Sequence, residues 1–237
     1  MLMRIAKIIQ ETYDVKTLRF QHEGSFTFKP GQFVMVSFDV EEEGIKKTVK
    51  RSYSISSSPA QKDFIDITLK IYPGGAFSKF AESLKEDDVI EVLGPFGRHF
   101  YYEDGKGNDL VFVAGGTGIA PIRSIIRYLV DNKMPANMLL FYSSKTEKDV
   151  IFKEELLKIE KENYNFKGIH TLTRHEGGDS WCNEFGRIDE NLFKKYIEDL
   201  NSKKYYLCGS TEFVNNMYKI LIRLKAPKTN IFVERFG

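Results

Sequence analysis

The clearest candidate for a binding site in this sequence is a glycine-rich turn between an apolar segment and a helical pattern. Residues 110–114 are apolar, residues 115–118 read Gly-Gly-Thr-Gly, and a helical pattern with an early proline, Pro121, follows. Glycines let backbone amides approach phosphate oxygens, and the first turn of a helix offers unpaired N–H groups. The turn therefore suits a pyrophosphate, although a tight strand-to-helix connection would show the same glycines. Pro121 replaces the third glycine of the usual dinucleotide fingerprint, which argues against an ordinary Rossmann dehydrogenase.

A second candidate lies in the first half of the chain, where Arg51, Ser52, Tyr53 and Ser54 follow one another. An arginine can hold a phosphate, an aromatic ring can stack on another ring, and a hydroxyl can donate a hydrogen bond. A flavin nucleotide needs these three contacts within a short distance. A polar strand that happens to contain an aromatic residue would look the same.

Composition excludes several kinds of site. The two cysteines, Cys182 and Cys208, are too few to supply the four thiolates of an iron–sulfur cluster or a structural zinc. Redox chemistry would therefore need an organic cofactor. No metal site is expected, because ligand spacing is absent among the four histidines: His22, His99, His170 and His175.

Charge and hydropathy exclude other classes of protein. The 35 basic and 33 acidic side chains are interleaved and leave no basic tract, so nucleic acid is not an expected partner. The opening residues are interrupted by cations before they reach signal-peptide length, and no apolar run could span a bilayer. With few cysteines as well, we expect a cytoplasmic protein without a membrane span.

The elements that must position the two candidate sites differ between the halves of the chain. The first hundred residues show short alternating strands and one helical pattern at 77–84, which predicts a small antiparallel barrel as residues 1–100. Two glycines and several charges at 101–108 indicate a linker. The predicted strands are 17–20, 33–38, 51–56, 64–71 and 89–92.

From residue 109 to 237 strands and helices alternate, which predicts a parallel, doubly wound α/β sheet. The predicted strands are 110–114, 138–142, 166–172, 204–207 and 231–234. The predicted helices are 119–130, 151–161, 190–198 and 212–224.

Seven short motifs, in order along the whole chain, resemble those of the ferredoxin-NADP reductase superfamily. The resemblance implies an FAD-binding antiparallel barrel followed by an NAD(P)-binding parallel sheet. The motifs are Phe-Lys-Pro-Gly-Gln-Phe at 28–33, Arg-Ser-Tyr-Ser at 51–54, Gly-Ala-Phe-Ser at 75–78, Gly-Pro-Phe-Gly at 94–97, Gly-Gly-Thr-Gly-Ile-Ala-Pro at 115–121, Cys-Gly-Ser at 208–210 and Glu-Arg-Phe-Gly at 234–237.

For FAD, the resemblance implies that Arg51 holds a phosphate, Tyr53 packs on the isoalloxazine ring and Ser54 donates near flavin N5. Ser78 would act at the pyrophosphate, although it could equally be an ordinary helix cap. The remaining implied FAD contacts are Ser52, Lys70, Ile71, Tyr72, Gly75, Ala76 and Phe77.

For the nicotinamide coenzyme, the resemblance implies a glycine turn that holds the pyrophosphate. It also implies that Cys208 and Gly209 lie beside the nicotinamide. Thr173 and Arg174 would hold the 2′-phosphate of NADPH. A buried structural cysteine and a solvated loop cation are the alternatives for Cys208 and Arg174. The residues that would hold the pyrophosphate are Gly116, Thr117, Gly118 and Pro121.

Near the end of the chain, the resemblance places Glu234 at the flavin edge as a proton relay or orienting group and Phe236 near the ring, although both could be a plain chain end. Ser54, Cys208 and Glu234 are thus the implied catalytic residues.

The implied function is transfer of hydride from NADPH or NADH to FAD, followed by release of single electrons to a separate carrier such as ferredoxin or flavodoxin. The 237 residues leave no room for a ferredoxin domain, which predicts a stand-alone two-domain reductase. Two alternatives stay open: a flavin reductase that releases reduced free flavin, and a non-catalytic electron-relay subunit of a larger redox complex.

Overall fold

A computed structural model describes residues 1–22, 24, 26–42, 45–72, 76–105, 107–174 and 184–236, with the side chains at 41, 42, 45, 46 and 76–79 outside the description. Two six-stranded sheets of different kinds follow one another along the chain. The antiparallel sheet comes first and the parallel sheet second, as the sequence predicts. None of the described helices is both long enough and apolar enough to cross a bilayer.

The first sheet is antiparallel throughout, in the order β4-β3-β6-β1-β2-β5. An antiparallel bridge between Ile55 and Ile67 joins its two edge strands and closes the barrel. Helix α1, Ala76–Ser83, lies between β5 and β6 and confirms the predicted helix within one residue at each end. The strands are β1 Leu2–Thr12, β2 Val15–Gln21, β3 Phe33–Glu42, β4 Ile45–Ser54, β5 Phe64–Lys70 and β6 Val89–Phe96.

Strand β1 has no counterpart in the sequence-based prediction. Met3 and Ile5 are buried in alternation, but the register with β2 shifts between Ile5 and Lys7. A bulge of this kind breaks the period of two, so the apolar residues beyond it no longer follow the alternation by which strands are recognised.

The second sheet is parallel throughout, in the order β10-β9-β8-β7-β11-β12. Its strands are β7 Asp109–Gly115, β8 Asn137–Ser144, β9 Phe166–Leu172, β10 Glu184–Phe185, β11 Lys204–Ser210 and β12 Ile231–Phe236. Its helices are α2 Ile119–Asp131, α3 Lys153–Glu162, α4 Glu190–Tyr196 and α5 Thr211–Arg223.

Both faces of this sheet are apolar and covered, as a doubly wound fold requires. Phe112 of β7 packs in the cluster that contains α2 and α3, and Val113 packs in the cluster that contains α4 and α5. Helix α3 begins two residues later than predicted because Phe152 adopts a left-handed conformation, with φ of +60°, directly before it.

The two sheets are packed against each other around the segment that leaves the barrel. Phe100 lies edge-on to Tyr206 of β11, with ring centroids 5.5 Å apart. Tyr102, within the predicted linker at 101–108, is only 1% exposed and belongs to the same apolar cluster as α2. The start of the linker is therefore part of the core, and the domain boundaries themselves stay a prediction.

Candidate functional site

The strand order of the parallel sheet reverses direction between β7 and β11. The chain proceeds from β7 outward to β8 and β9, and then returns to place β11 on the other side of β7. In open α/β sheets, ligands bind in the crevice outside the carboxyl ends of the strands at such a switch point. The glycine turn at 115–118 and the pair Cys208 and Gly209 both lie at this edge.

The glycine turn is closely packed against β11 and has the backbone geometry of a phosphate-binding turn. Gly116 has φ of +54°, a conformation that favours glycine. A Cβ on Gly118 would lie 2.2 Å from the Cys208 carbonyl oxygen and 2.7 Å from the Gly209 nitrogen, so only glycine fits there. Helix α2 starts immediately afterwards, and Pro121 is buried in its first turn. The predicted residues therefore come together at one helix N-terminus, which suits a pyrophosphate.

Tyr142 supports this turn and was not predicted as a site residue. It is fully buried at the end of β8, and its hydroxyl donates to the Gly116 carbonyl oxygen over 3.1 Å. The same hydroxyl accepts from the Ile151 amide over 3.2 Å. Its sequence signal is a tyrosine at the end of an otherwise apolar strand, where a buried hydroxyl needs a partner.

The barrel and the parallel sheet meet at Ser54 and Glu234. Ser54 is the last residue of β4, and its hydroxyl donates to Glu234 Oε1 of β12 over 2.7 Å. Burial raises the pKa of the Glu234 carboxyl to about 7, and the Ser54 hydroxyl offsets part of this increase. The two residues lie at the junction of the domains, and the carboxyl is poised to gain or lose a proton near neutral pH.

Cys208 of β11 lies beside Glu234 of β12, because the two residues are paired in the register of these strands. The prediction that Cys208 and Gly209 follow a strand ending at 207 is wrong, because the strand continues to Ser210. The cysteine is 0% exposed, and burial together with the Glu234 carboxylate raises its thiol pKa. The group is therefore a neutral thiol rather than a nucleophilic thiolate.

The barrel residues predicted to hold FAD lie along β4. Arg51 and Ser52 are exposed, and the Arg51 guanidinium donates to the Lys50 carbonyl oxygen. Among the described side chains, no carboxylate forms an ion pair with Arg51. Tyr53 is partly buried against the barrel core, and burial raises its phenol pKa. A cation, a ring face and a hydroxyl thus follow one another along one strand, which fits the donor set that a flavin nucleotide needs.

The other predicted FAD contacts differ from one another in their burial and in their bonding partners. Lys70, at the end of β5, forms an ion pair of 2.6 Å with Asp14. Ile71 is partly buried and Tyr72 is 64% exposed. Gly75 lies outside the described residues, as do the side chains of the first turn of α1, formed by Ala76, Phe77 and Ser78.

The predicted 2′-phosphate residues lie at the same edge of the sheet, beyond β8 and β9. Thr173 and Arg174 are exposed, and so is Lys145. The Arg174 amide donates to the Lys145 carbonyl oxygen over 2.8 Å, and the Thr173 amide donates to the Ser144 carbonyl oxygen over 3.0 Å. These bonds bring two cations onto adjacent loops. His175 lies outside the described residues.

Two more residues that the sequence did not single out are Arg123 and Ser124 of α2, which bond to the barrel at Ser56 and Ser57.

Phe236 is the last described residue, at the end of β12, and is partly buried against the α2 side of the sheet. No group of three or more metal-ligating side chains occurs in the described part of the chain.

Comparison with known proteins identifies two domain families. Residues 3–101 match the family model of the oxidoreductase FAD-binding domain, and residues 112–219 match that of the oxidoreductase NAD-binding domain. The chain is 33% identical over 239 residues to a glycine betaine monooxygenase reductase subunit of Pseudomonas aeruginosa, covering 100% of this chain and 64% of that subunit. The chain thus spans a little under two thirds of the length of that relative.

A second relative is covered more completely. The sulfhydrogenase 2 subunit gamma of Pyrococcus furiosus is 30% identical over 223 residues, which cover 90% of this chain and 72% of that subunit.

Solved structures share the fold. The FAD/NAD-binding domain of a nitric oxide dioxygenase from Vibrio cholerae matches with a TM-score of 0.86 at 20% identity, covering 100% of this chain and 98% of that one. A ferredoxin NADP+ reductase from Neisseria gonorrhoeae with bound FAD and NADP matches with a TM-score of 0.81 at 21% identity, covering 99% and 98%. The predicted fold is confirmed.

Proposed function

Because the chain belongs to the ferredoxin-NADP reductase superfamily of FAD- and NAD-binding oxidoreductases, we propose that it oxidises NAD(P)H and passes the electrons through FAD to a separate acceptor. The observation that carries this proposal is the hydrogen bond from Ser54 to Glu234. It joins the strand with the flavin-type donor set to the sheet edge with the coenzyme-type glycine turn. Two cofactors bound at these places would meet at the junction.

Arg51, Tyr53 and Ser54 would hold FAD on the barrel, and Gly116 to Gly118 would hold the coenzyme pyrophosphate at α2. When bound, FAD accepts a hydride from the nicotinamide and can release its two electrons one at a time. The chain itself contributes binding and orientation, which account for much of the rate of a transfer between two bound groups.

Cys208 and Gly209 would keep the nicotinamide side of the crevice small and uncharged. Burial keeps the Cys208 thiol protonated, so it adds no negative charge beside the ring site. Glu234 would act as an orienting group and as a proton store, because its carboxyl pKa of about 7 lets it hold or release a proton. Ser54 donates to Oε1 and so fixes the direction of the carboxyl, which leaves Oε2 to carry the proton.

For the coenzyme we propose NADPH, with NADH as the alternative. Arg174 and Lys145 are both exposed on adjacent loops at the sheet edge. A phosphate there would receive charge-assisted hydrogen bonds from two cations. The adenosine 2′-hydroxyl of NADH would gain much less from the same pair.

For the acceptor we propose an electron carrier or oxygenase component outside these two domains. The 237 residues contain two cysteines, fewer than the four thiolates of a ferredoxin-type iron–sulfur cluster, so the electrons would leave for a centre outside these residues. Relatives include the glycine betaine monooxygenase reductase subunit and the reductase component of a propane 2-monooxygenase from Mycolicibacterium goodii. A relay role inside a larger complex is the second candidate, favoured by similarity to the sulfhydrogenase gamma subunit.

The test is anaerobic spectroscopy of the purified, FAD-reconstituted protein. We expect a bound flavin spectrum that bleaches on addition of NADPH, and steady turnover when a soluble one-electron acceptor is added. A protein that retains no FAD would contradict the proposal and favour a flavin reductase that uses free flavin. Bound FAD that neither coenzyme bleaches would favour the relay subunit.

A further inference from the structure

Two consecutive residues of α2 reach across to the barrel. Arg123 Nη1 donates to the Ser56 carbonyl oxygen over 2.8 Å, and the Ser124 hydroxyl donates to the Ser57 carbonyl oxygen over 2.6 Å. Ser56 and Ser57 are 0% and 2% exposed, so both bonds lie in the buried interface. The acceptors come two and three residues after Ser54.

Arg123 is held from both domains at once. Its Nε donates to Glu155 Oε2 over 2.9 Å, and its guanidinium carbon lies 4.4 Å from the centre of the Phe152 ring, both within the parallel-sheet domain. On the barrel side, Nη1 also lies 3.8 Å from Asp66 Oδ2. A guanidinium is suited to this role because its donors point in several fixed directions.

The barrel side of this contact is rigid. Asp66 is fixed by two parallel hydrogen bonds from Arg19, of 2.8 and 3.0 Å. The Ser56 amide donates to the Asp66 carbonyl oxygen over 2.8 Å, and the Ile55 amide donates to the Gln32 carbonyl oxygen over 2.9 Å. The segment between Ser54 and Ser57 is therefore tied to the barrel by hydrogen bonds.

The interface beside Arg123 is not filled by apolar packing. A cleft of about 240 Å³ opens there, bordered by Gln61 and Phe64 of the barrel and by Arg127 of α2. The polar bonds of Arg123 and Ser124 cross the interface at the edge of this cleft and so help to set the spacing of the domains there.

We propose that Arg123 and Ser124 are positioning residues that set the distance between the coenzyme turn and Ser54. This inference rests on the proposed function. Helix α2 begins at the glycine turn of 116–118, so any shift of the helix on the barrel moves the turn relative to Ser54. Transfer between two bound groups is steeply sensitive to spacing, with a displacement of about 1 Å costing about 100-fold in rate.

The test compares Arg123→Lys and Ser124→Ala with the control Arg127→Lys. Arg127 lies one turn further along α2, but its ion pairs, with Asp131 and Glu155, stay within the parallel-sheet domain. We expect both test variants to bind FAD and NAD(P)H with unchanged dissociation constants. At saturating coenzyme, the limiting rate of flavin bleaching should fall by about 10-fold or more in each, and stay at the wild-type value in the control.

A second readout uses the FAD-free protein. Hydrogen exchange should accelerate in the peptide that contains residues 55–58 in both test variants, and remain unchanged in β8 and in the control. Wild-type bleaching rates in Arg123→Lys and Ser124→Ala would overturn the proposal. If the wild type itself is not bleached, the proposed function fails, and unchanged exchange at 55–58 would then overturn the interface role separately.

Discussion

Ser54 and Glu234, which are 180 positions apart in the sequence, share a hydrogen bond of 2.7 Å between the last residue of β4 and strand β12. The serine belongs to the FAD-binding barrel and the glutamate to the NAD-binding sheet. Because burial raises the Glu234 carboxyl pKa to about 7, this bond places a titrating group at the domain junction.

Replacement Glu234→Gln should change how stability depends on pH. In the folded FAD-free protein the carboxyl pKa is about 7, above the ordinary 4.5, so between these pH values the folded state holds a proton that the unfolded chain has released. The contribution of this carboxyl to the free energy of unfolding should therefore fall by up to about 3 kcal/mol as pH rises through this window. Denaturant unfolding at several pH values should show this fall in the difference between the free energies of unfolding of the wild type and Glu234→Gln.

The wild type and Glu234→Gln must be compared because the titration of His170 changes the free energy of unfolding in the opposite direction. Burial lowers its imidazole pKa to about 4, so its contribution to stability increases as pH rises towards 6.5. This contribution is common to wild type and variant and cancels in their difference. A difference that does not vary between pH 4.5 and 7 would contradict the raised pKa of Glu234.

Replacement Ser54→Ala should shift the pH profile of flavin reduction. The Ser54 hydroxyl lowers the Glu234 carboxyl pKa, so its removal should move the corresponding inflection to higher pH. Stopped-flow bleaching rates at saturating NADPH, measured across pH, provide the check. Thr48→Ala is the matched control, because Thr48 lies on the same strand but bonds to Asp39 on the exposed face. An unchanged inflection in Ser54→Ala would show that the Ser54 hydroxyl does not affect the pKa of the titrating group.

Replacement Gly118→Ala should destabilise the fold and abolish coenzyme binding. The new Cβ would lie 2.2 Å from the Cys208 carbonyl oxygen, which only a backbone shift can relieve. We expect a loss of about 2–3 kcal/mol in the free energy of unfolding. Gly105→Ala is the control, since its φ of +84° carries backbone strain but its Cβ would meet nothing within 4 Å. Equal losses in the two variants would show that crowding at Cys208 is not the cause.

Replacement Arg174→Ala should raise the Michaelis constant for NADPH and leave that for NADH unchanged. Loss of a charge-assisted hydrogen bond of about 1.5–3 kcal/mol corresponds to about a 10- to 100-fold increase. Steady-state kinetics with both coenzymes provide the measurement, with exposed Lys158 of α3 replaced by alanine as a charge-matched control. Equal increases for the two coenzymes would remove the 2′-phosphate role of Arg174.

Local patterns were enough to predict the fold and the glycine turn. The strand-to-helix alternation after residue 109 and the Gly-Gly-Thr-Gly turn at 115–118 depend on residues close in sequence, and both are confirmed. Strand β1 was not predicted, because its register shift between Ile5 and Lys7 breaks the alternation of buried and exposed residues.

The contacts that join the two domains could not be predicted in this way. The bonds from Arg123 to Ser56 and from Ser124 to Ser57 span 67 positions. No local spacing encodes such a contact, because it depends on how the two domains pack against each other. In the sequence, Arg123 is one of many helical cations.

We propose that NAD(P)H reduces FAD at the junction of Ser54, Cys208 and Glu234. The decisive measurement is single-turnover mixing of the FAD-loaded protein with NADPH, and separately with NADH, under anaerobic conditions, with wild type and Ser54→Ala measured side by side. We predict rapid bleaching of the wild-type flavin and much slower bleaching in the variant, with FAD still bound to both. Bleaching at the same rate in both proteins, or no bleaching of the wild type with either coenzyme, would contradict this reaction site.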